Sequence, residues 1–124
     1  MIRRIHAATL RGVMVVTGGG AAAISELLSV PGGSRTLLEA VVPYSEAALT
    51  SWLGKRPEHF CTEETALAMA AVAFQRAGDL AATETGDSVD LVGVACTASL
   101  VSDKPKKGDH RCHIATQTRT ASAA

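Results

Sequence analysis

The chain has 124 residues, enough for one buried core and one domain. Its formal charge is zero, which excludes the broad basic field of a nucleic-acid binder and the acidic tail of a charged partner module. Apolar residues make up 47% and aromatics only 3%, so small-residue helices on a β-branched sheet are expected, not a large aromatic cavity.

Gly12 to Thr17 is a short, continuous, β-rich apolar run and reads as a strand buried on both faces. Gly18-Gly19-Gly20 breaks it. Ala21 to Val30 then carries Ile24, Leu27 and Leu28 at the spacing of one helix face, and Pro31-Gly32-Gly33-Ser34 ends that helix. Leu37 to Val42 is a second strand, which Pro43 confines to an edge or ends. Ser45 is placed to cap a helix from Glu46 to about Leu53, closed by Gly54. Thr62 is placed to cap the clearest helix, in which Leu67, Ala70, Ala71 and Phe74 form an apolar face and Gly78 takes a left-handed C-terminal position. Asp79 to Ser88 reads as a polar linker, Val89 to Cys96 as a strand, and His110 to Thr118 as its hairpin partner across a charged turn. Arg119 to Ala124 is expected to fray. The order is mixed α/β, a sheet packed with one or two layers of helices.

No apolar run approaches the ~20 residues that span a bilayer. Met1-Ile2-Arg3-Arg4 is basic, but Arg11 interrupts the stretch after it, so neither a signal peptide nor a membrane helix is expected. Cys61, Cys96 and Cys112 are odd in number and scattered, without a CxxC. They read as buried, reduced thiols of a cytoplasmic protein rather than a disulfide framework or a zinc site.

A buried strand feeding three glycines and then a helix has two uses. It lets a ligand approach the backbone and offers helix N–H groups to an anion, with the Thr17 hydroxyl at the lip, or it makes a tight turn for close helix–sheet packing. The run is neither a Walker sequence nor GxGxxG. Pro31 to Arg35 reads as a loop, and Tyr44, the only tyrosine, could flank a ring. Lys104, Lys106, Lys107 and Arg111 are either a phosphate grip or a solvated hairpin. His110 and His113 are three apart, on opposite faces of a strand, so no shared metal is expected. Glu39, in an apolar run, is expected to meet solvent or an arginine, with Arg35 close by in sequence.

Taken together, these segments resemble the C-terminal domain of the competence/damage-inducible CinA proteins, the nicotinamide-nucleotide amidase family. The likeness rests on the Gly-rich turn after a strand, then Pro31-Gly32-Gly33-Ser34, then a strand leading to Tyr44-Ser45 before a helix. A Gly93-Val94-Ala95 strand and a late loop with Lys104-Pro105 and Gly108 complete it. It runs from about Ile5 to Thr118. Leu38 to Ser45 and Gly108-Asp109-His110-Arg111 are most similar to a branch found beside nucleotidylyltransferase-like domains in plant proteins.

The resemblance implies a CinA C-terminal-like α/β fold without the family's last helix. It also implies cofactor-free hydrolysis of the carboxamide of nicotinamide mononucleotide to nicotinate mononucleotide and ammonia. A serine in the Gly-rich turn would be the nucleophile, activated by a lysine in the helix after Tyr-Ser. Carried over by position, the serine's place holds Thr17 and the lysine's holds Leu49. The late family loop of glycines and proline becomes Cys96-Thr97-Ala98-Ser99.

The first expectation is therefore a degenerate nucleotide-binding domain. Thr17 would mark the remnant of the catalytic site. Gly18, Gly19, Gly20, Tyr44, Ser45, Thr97, Ser99, Lys104 and Arg111 would contact a pyridine mononucleotide or similar phosphate ligand. The alternatives are an active amidohydrolase using Thr17, or an assembly module with no ligand. A homo-oligomer is expected, with neither nucleic acid nor membrane as partner.

Overall fold

The computed structural model describes residues 1–7, 10–83, 90–99 and 111–124, with the side chains of Ser99 and Arg111 outside the described set. In chain order the elements are α1 (Ile2–Ala7), β1 (Leu10–Val16), α2 (Ala21–Ser29), α3 (Gly33–Thr36), β2 (Leu37–Val41), α4 (Glu46–Leu53), α5 (Glu63–Ala82), β3 (Asp90–Ser99), β4 (Arg111–Gln117) and β5 (Ser122–Ala123). The sheet order is β2-β1-β3-β4-β5. β2, β1 and β3 run parallel, while β4 and β5 join antiparallel. Mixed α/β is thus the observed class. The strand expected to stop at Pro43 ends at Val41 and lies at the sheet edge. The tail expected to fray places Ser122 and Ala123 against the end of β4.

The core lies between α5 and the sheet. Val13, Val15, Ala95 and Ala115 meet Ala66, Met69, Ala70, Ala73 and Ala77, and Leu49 of α4 closes one end. Alanines on α5 let its axis approach the sheet closely. Gly93 marks the tightest point: a side chain there would fall on the Ala70 carbonyl oxygen and the Phe74 amide nitrogen. Trp52 donates its indole N–H to the Met69 carbonyl at 3.4 Å and joins α4 to α5.

The two expected N-caps form. Ser45 Oγ accepts from the Ala48 amide at 3.0 Å, and Thr62 Oγ1 accepts from the Thr65 amide at 3.1 Å. Because α5 carries the core, its cap reports on global stability. Thr62→Ala is expected to cost about 1 kcal/mol, measured as a lower urea midpoint at unchanged slope. An unchanged midpoint would show that the cap contributes nothing.

Several expectations need correction. α5 does not stop at Gly78 but runs through it to Ala82, so the first four residues of the expected linker are helical. Local glycine propensity is outweighed there by Ala77 and its neighbours packing on the sheet. The buried face of α5 is Ala66, Met69, Ala70, Ala73 and Ala77, while Ala71 is exposed. On α2 no residue is fully buried, and Leu28 is 62% exposed. Glu39 does meet an arginine, but it is Arg76 of α5, at 2.9 and 3.3 Å. Arg35 instead donates to the His6 carbonyl at 3.4 Å. Of the three thiols only Cys96 is buried; Cys61 is half-buried and Cys112 exposed. The sequence pattern did not reveal α1. Its buried His6 approaches Thr36 Oγ1 at 2.6 Å and the Leu27 carbonyl at 2.9 Å, tying α1 to α2 and α3.

Candidate functional site

A parallel sheet directs the carboxyl ends of its strands to one edge. Where successive connections leave a central strand in opposite directions, a crevice opens there. β1 is that strand, with β2 on one side and β3 on the other. A cleft of about 210 Å³ lies at this edge, lined by residues from all three strand ends. Thr17 follows β1, Tyr44 and Ser45 follow β2, and Thr97 and Ala98 belong to β3. Glu46 and Leu49 of α4 form one wall; Phe60 and Cys61, ahead of α5, form the other.

The Gly-rich turn is shaped by two positive φ angles, 125° at Gly18 and 94° at Gly20. A Cβ at Gly18 would also stand 3.2 Å from the Tyr44 ring. Glycine therefore lets Tyr44 lie over the turn while 79% exposed. Gly20 opens α2 and backs onto Cys96, where a Cβ would stand 3.4 Å from the sulfur.

Thr17 sits just past β1, its amide still donating to the Cys96 carbonyl at 3.1 Å. Its hydroxyl is held from two sides: it accepts from the Ala98 amide at 3.4 Å and donates to Thr97 Oγ1 at 3.3 Å. Thr97, itself buried, donates to the Phe60 carbonyl at 2.9 Å. A carbonyl can only accept, so the Thr97 proton is committed to Phe60 and Thr97 must receive the proton of Thr17. The chain of donors ends on a peptide oxygen, which cannot remove a proton at neutral pH. Leu49, 3% exposed, occupies the α4 wall of the cleft.

Among the described lining residues the charged one is Glu46, which pairs with Arg56 at 3.5 Å. Arg56 also lies 5.2 Å from the centre of the Phe60 ring, bracing that wall by a cation–π contact. Burial, and then the neighbouring Cys112 thiol, push the Cys96 thiol up to about 11.

Three solved structures share the architecture. A competence-damaged protein (CinA) superfamily protein from Escherichia coli aligns with TM-score 0.72 and 18% identity, over 98% of this chain and 68% of that one. A competence/damage inducible protein from Agrobacterium tumefaciens aligns with TM-score 0.73 and 20% identity, over 98% and 74%. The chain has the CinA fold. A CinA superfamily protein from Enterobacter cloacae agrees, with TM-score 0.72 and 19% identity over 97% and 69%. No family model and no curated protein matches the sequence.

Within the CinA fold, four of the sequence-derived site residues share the cleft: Thr17, Tyr44, Ser45 and Thr97. Gly18 adjoins it beneath the Tyr44 ring. Gly20 is at the back of the turn, against Cys96 and Val16. Gly19 is half-buried between them and does not line the cleft. Ser99 and Arg111 pair in the β3–β4 ladder, but their side chains lie outside the described residues, as does all of Lys104. The sequence reading missed Glu46, Phe60 and Cys61 as lining residues. None carries a motif; Phe60 and Cys61 are placed by the return of the chain into α5 after Pro57, a long-range feature that spacing does not encode.

Proposed function

We propose that the cleft is a nucleotide site related to that of nicotinamide-nucleotide amidases, taking a pyridine mononucleotide or a similar phosphate ligand, and that it has lost hydrolysis. Its location supports the binding half: ligands of open parallel sheets seat at the strand carboxyl ends beside a topological switch. The exposed Tyr44 ring over Gly18 offers a stacking surface for the pyridine. The phosphate is assigned to the Gly18–Gly20 turn, with Lys104, Ser99 and Arg111 as further contacts. A cytoplasmic, homo-oligomeric state is part of the same proposal.

The single observation behind the loss of hydrolysis is the closed relay from Thr17 through Thr97 to the Phe60 carbonyl. A hydroxyl becomes a nucleophile when a neighbouring base takes its proton. Here the proton points inward to a second hydroxyl whose own proton is already committed. Where no base takes that proton, and among the described residues it is held by Thr97 rather than by Glu46, about 10²–10⁴-fold of rate is forfeited.

Calorimetry and an ammonia assay test the two halves separately. Nicotinamide and nicotinate mononucleotides should both give binding heat at millimolar ligand or below. Tyr44→Ala should weaken that binding about tenfold, the loss of one stacked ring. Ammonia release should be equal in wild type and Thr17→Val. Absence of heat for any pyridine or adenine nucleotide at millimolar ligand would remove the binding half. Ammonia release that depends on Thr17 would remove the other and favour an active amidohydrolase.

A further inference from the structure

Cys96 and Cys112 lie on neighbouring antiparallel strands. The register sets Cys96 opposite Ile114 and Cys112 opposite Ala98, so the two cysteines are diagonal neighbours on one face of the sheet. Their sulfurs are 3.6 Å apart. Cys61 also acts electrostatically on Cys96, but it precedes α5, lines the cleft and donates its thiol toward the Thr97 carbonyl at 3.9 Å.

The two paired thiols differ in access. Cys112 is exposed, and Cys96 is buried behind the Gly-rich turn, against Gly20. An oxidant therefore meets Cys112 first, and the sulfur already touching Cys112 is that of Cys96. Contact between an accessible thiol and a sheltered one favours ring closure over further oxidation of the first.

We propose that Cys96 and Cys112 are a reversible, peroxide-sensitive disulfide pair behind the Gly-rich turn. In the first step the Cys112 thiolate attacks one oxygen of hydrogen peroxide. The S–O bond forms, the O–O bond breaks, and hydroxide leaves to take up the thiol proton as water. In the second step the Cys96 sulfur attacks the Cys112 sulfenic sulfur. The S–S bond forms, the S–O bond breaks, and the departing hydroxide takes the Cys96 proton as a second water. Two thiols lose two electrons, and one peroxide is reduced to two waters. An external dithiol reverses the step by thiol–disulfide exchange.

Oxidation at this place is felt at the turn. The Cys96 carbonyl holds the Thr17 amide, and the Cys96 sulfur would stand 3.4 Å from a Cβ placed on Gly20. Bonding to Cys112 draws that sulfur from Gly20 toward β4. The pair is independent of the nucleotide reading and stands whether or not the cleft binds one.

The test uses the full chain, reduced and desalted, then titrated with hydrogen peroxide. Iodoacetamide trapping comes next, then tryptic peptide mapping; Arg111 separates the two cysteines into different peptides. The expected product is an intrachain link between the Cys96 and Cys112 peptides, with Cys61 still alkylated. Dithiothreitol should restore all three alkylatable thiols. Cys112→Ser should slow the loss of alkylatable Cys96 by about tenfold or more, because a buried thiol is then attacked directly. Four results would overturn the proposal: Cys112 sulfinic acid beside an intact Cys96 thiol, a dimer linked through Cys112, a linkage that includes Cys61, or no linkage at any dose. The wild-type map alone decides among them.

Discussion

Gly93→Ala should destabilise this domain by about 3 kcal/mol, a large part of the ~5–15 kcal/mol that holds a domain folded. α5 crosses β3 with the Ala70 carbonyl and the Phe74 amide seated where the new methyl would go. Both obstacles are backbone, so no side-chain rotation relieves the collision; the helix must lift. Lifting it opens the packing of Met69, Ala70 and Ala73 on Val13, Val15 and Ala95. Gly93→Val should fail to fold. Gly78→Ala is the matched control. It lies in the interior of the same helix, and nothing stands within 4 Å of the place its new methyl would take. Replacing that glycine should raise stability by about 0.5–1 kcal/mol, since alanine restricts the unfolded chain and suits a helix. Urea midpoints at equal slopes measure both. A wild-type midpoint for Gly93→Ala would mean that α5 does not cross β3 this closely.

Leu49→Lys should have the second largest effect, and it acts on stability and chemistry together. Leu49 is 3% exposed and contributes to both the core and the cleft wall. A lysine there is desolvated, which disfavours its charged form and depresses its folded pKa below the unfolded value of about 10.4. Between the two values the unfolded chain binds more protons, so stability rises with pH across that window. The destabilisation is therefore greatest below the folded pKa and has faded once the pH exceeds the unfolded one. Denaturant melts from about pH 6 to pH 10 should show this recovery, and a pH-independent deficit would mean that the side chain has escaped to water.

The same lysine, neutral and beside the Gly-rich turn, would restore the base that the resemblance places in this helix. In the double variant Thr17→Ser, Leu49→Lys, ammonia release from nicotinamide mononucleotide should exceed that of the parent by ~10²–10⁴-fold. Serine is needed as well as lysine because it presents a less hindered hydroxyl. Binding heat with no gain in ammonia would show that the cleft holds its ligand in a pose unrelated to amide cleavage.

Much of the architecture follows from local rules. The apolar run before the glycines is β1, because a strand buried on both faces needs no alternation. Ser45 and Thr62 cap their helices because a side-chain oxygen beside free N–H groups needs only three residues of chain. The β3–β4 hairpin was likewise legible from two β-rich runs flanking a polar turn. The caps depend on neighbours within a few positions and the hairpin on two adjacent runs, so the pattern of residue types suffices to place them.

The site was legible only in part. Thr17 and Tyr44 stood out as the hydroxyl beside the glycines and the lone tyrosine, and both do line the cleft. Periodicity used without knowledge of the sheet placed Ala70 and Leu67 of α5 at the core but misjudged other positions. The apolar positions of α2 suggested a buried face, yet Leu28 is largely exposed. Gly78 suggested a helix end, yet packing carries α5 through it.

The strand–glycine–helix turn, the capped helices and the mixed α/β class are short-range consequences of residue type and could be read from the chain alone. What the turn can do depends instead on contacts that exist only in the folded domain. Thr17 meets Thr97 eighty positions later, and Thr97 meets Phe60 across the cleft, so the fate of one proton depends on three separate segments. Cys96 meets Cys112 because two strands pair in one register, and Glu39 meets Arg76 because α5 packs across β2. Contacts of this kind depend on which segments the sheet brings together, and that order is set by the packing of the whole core.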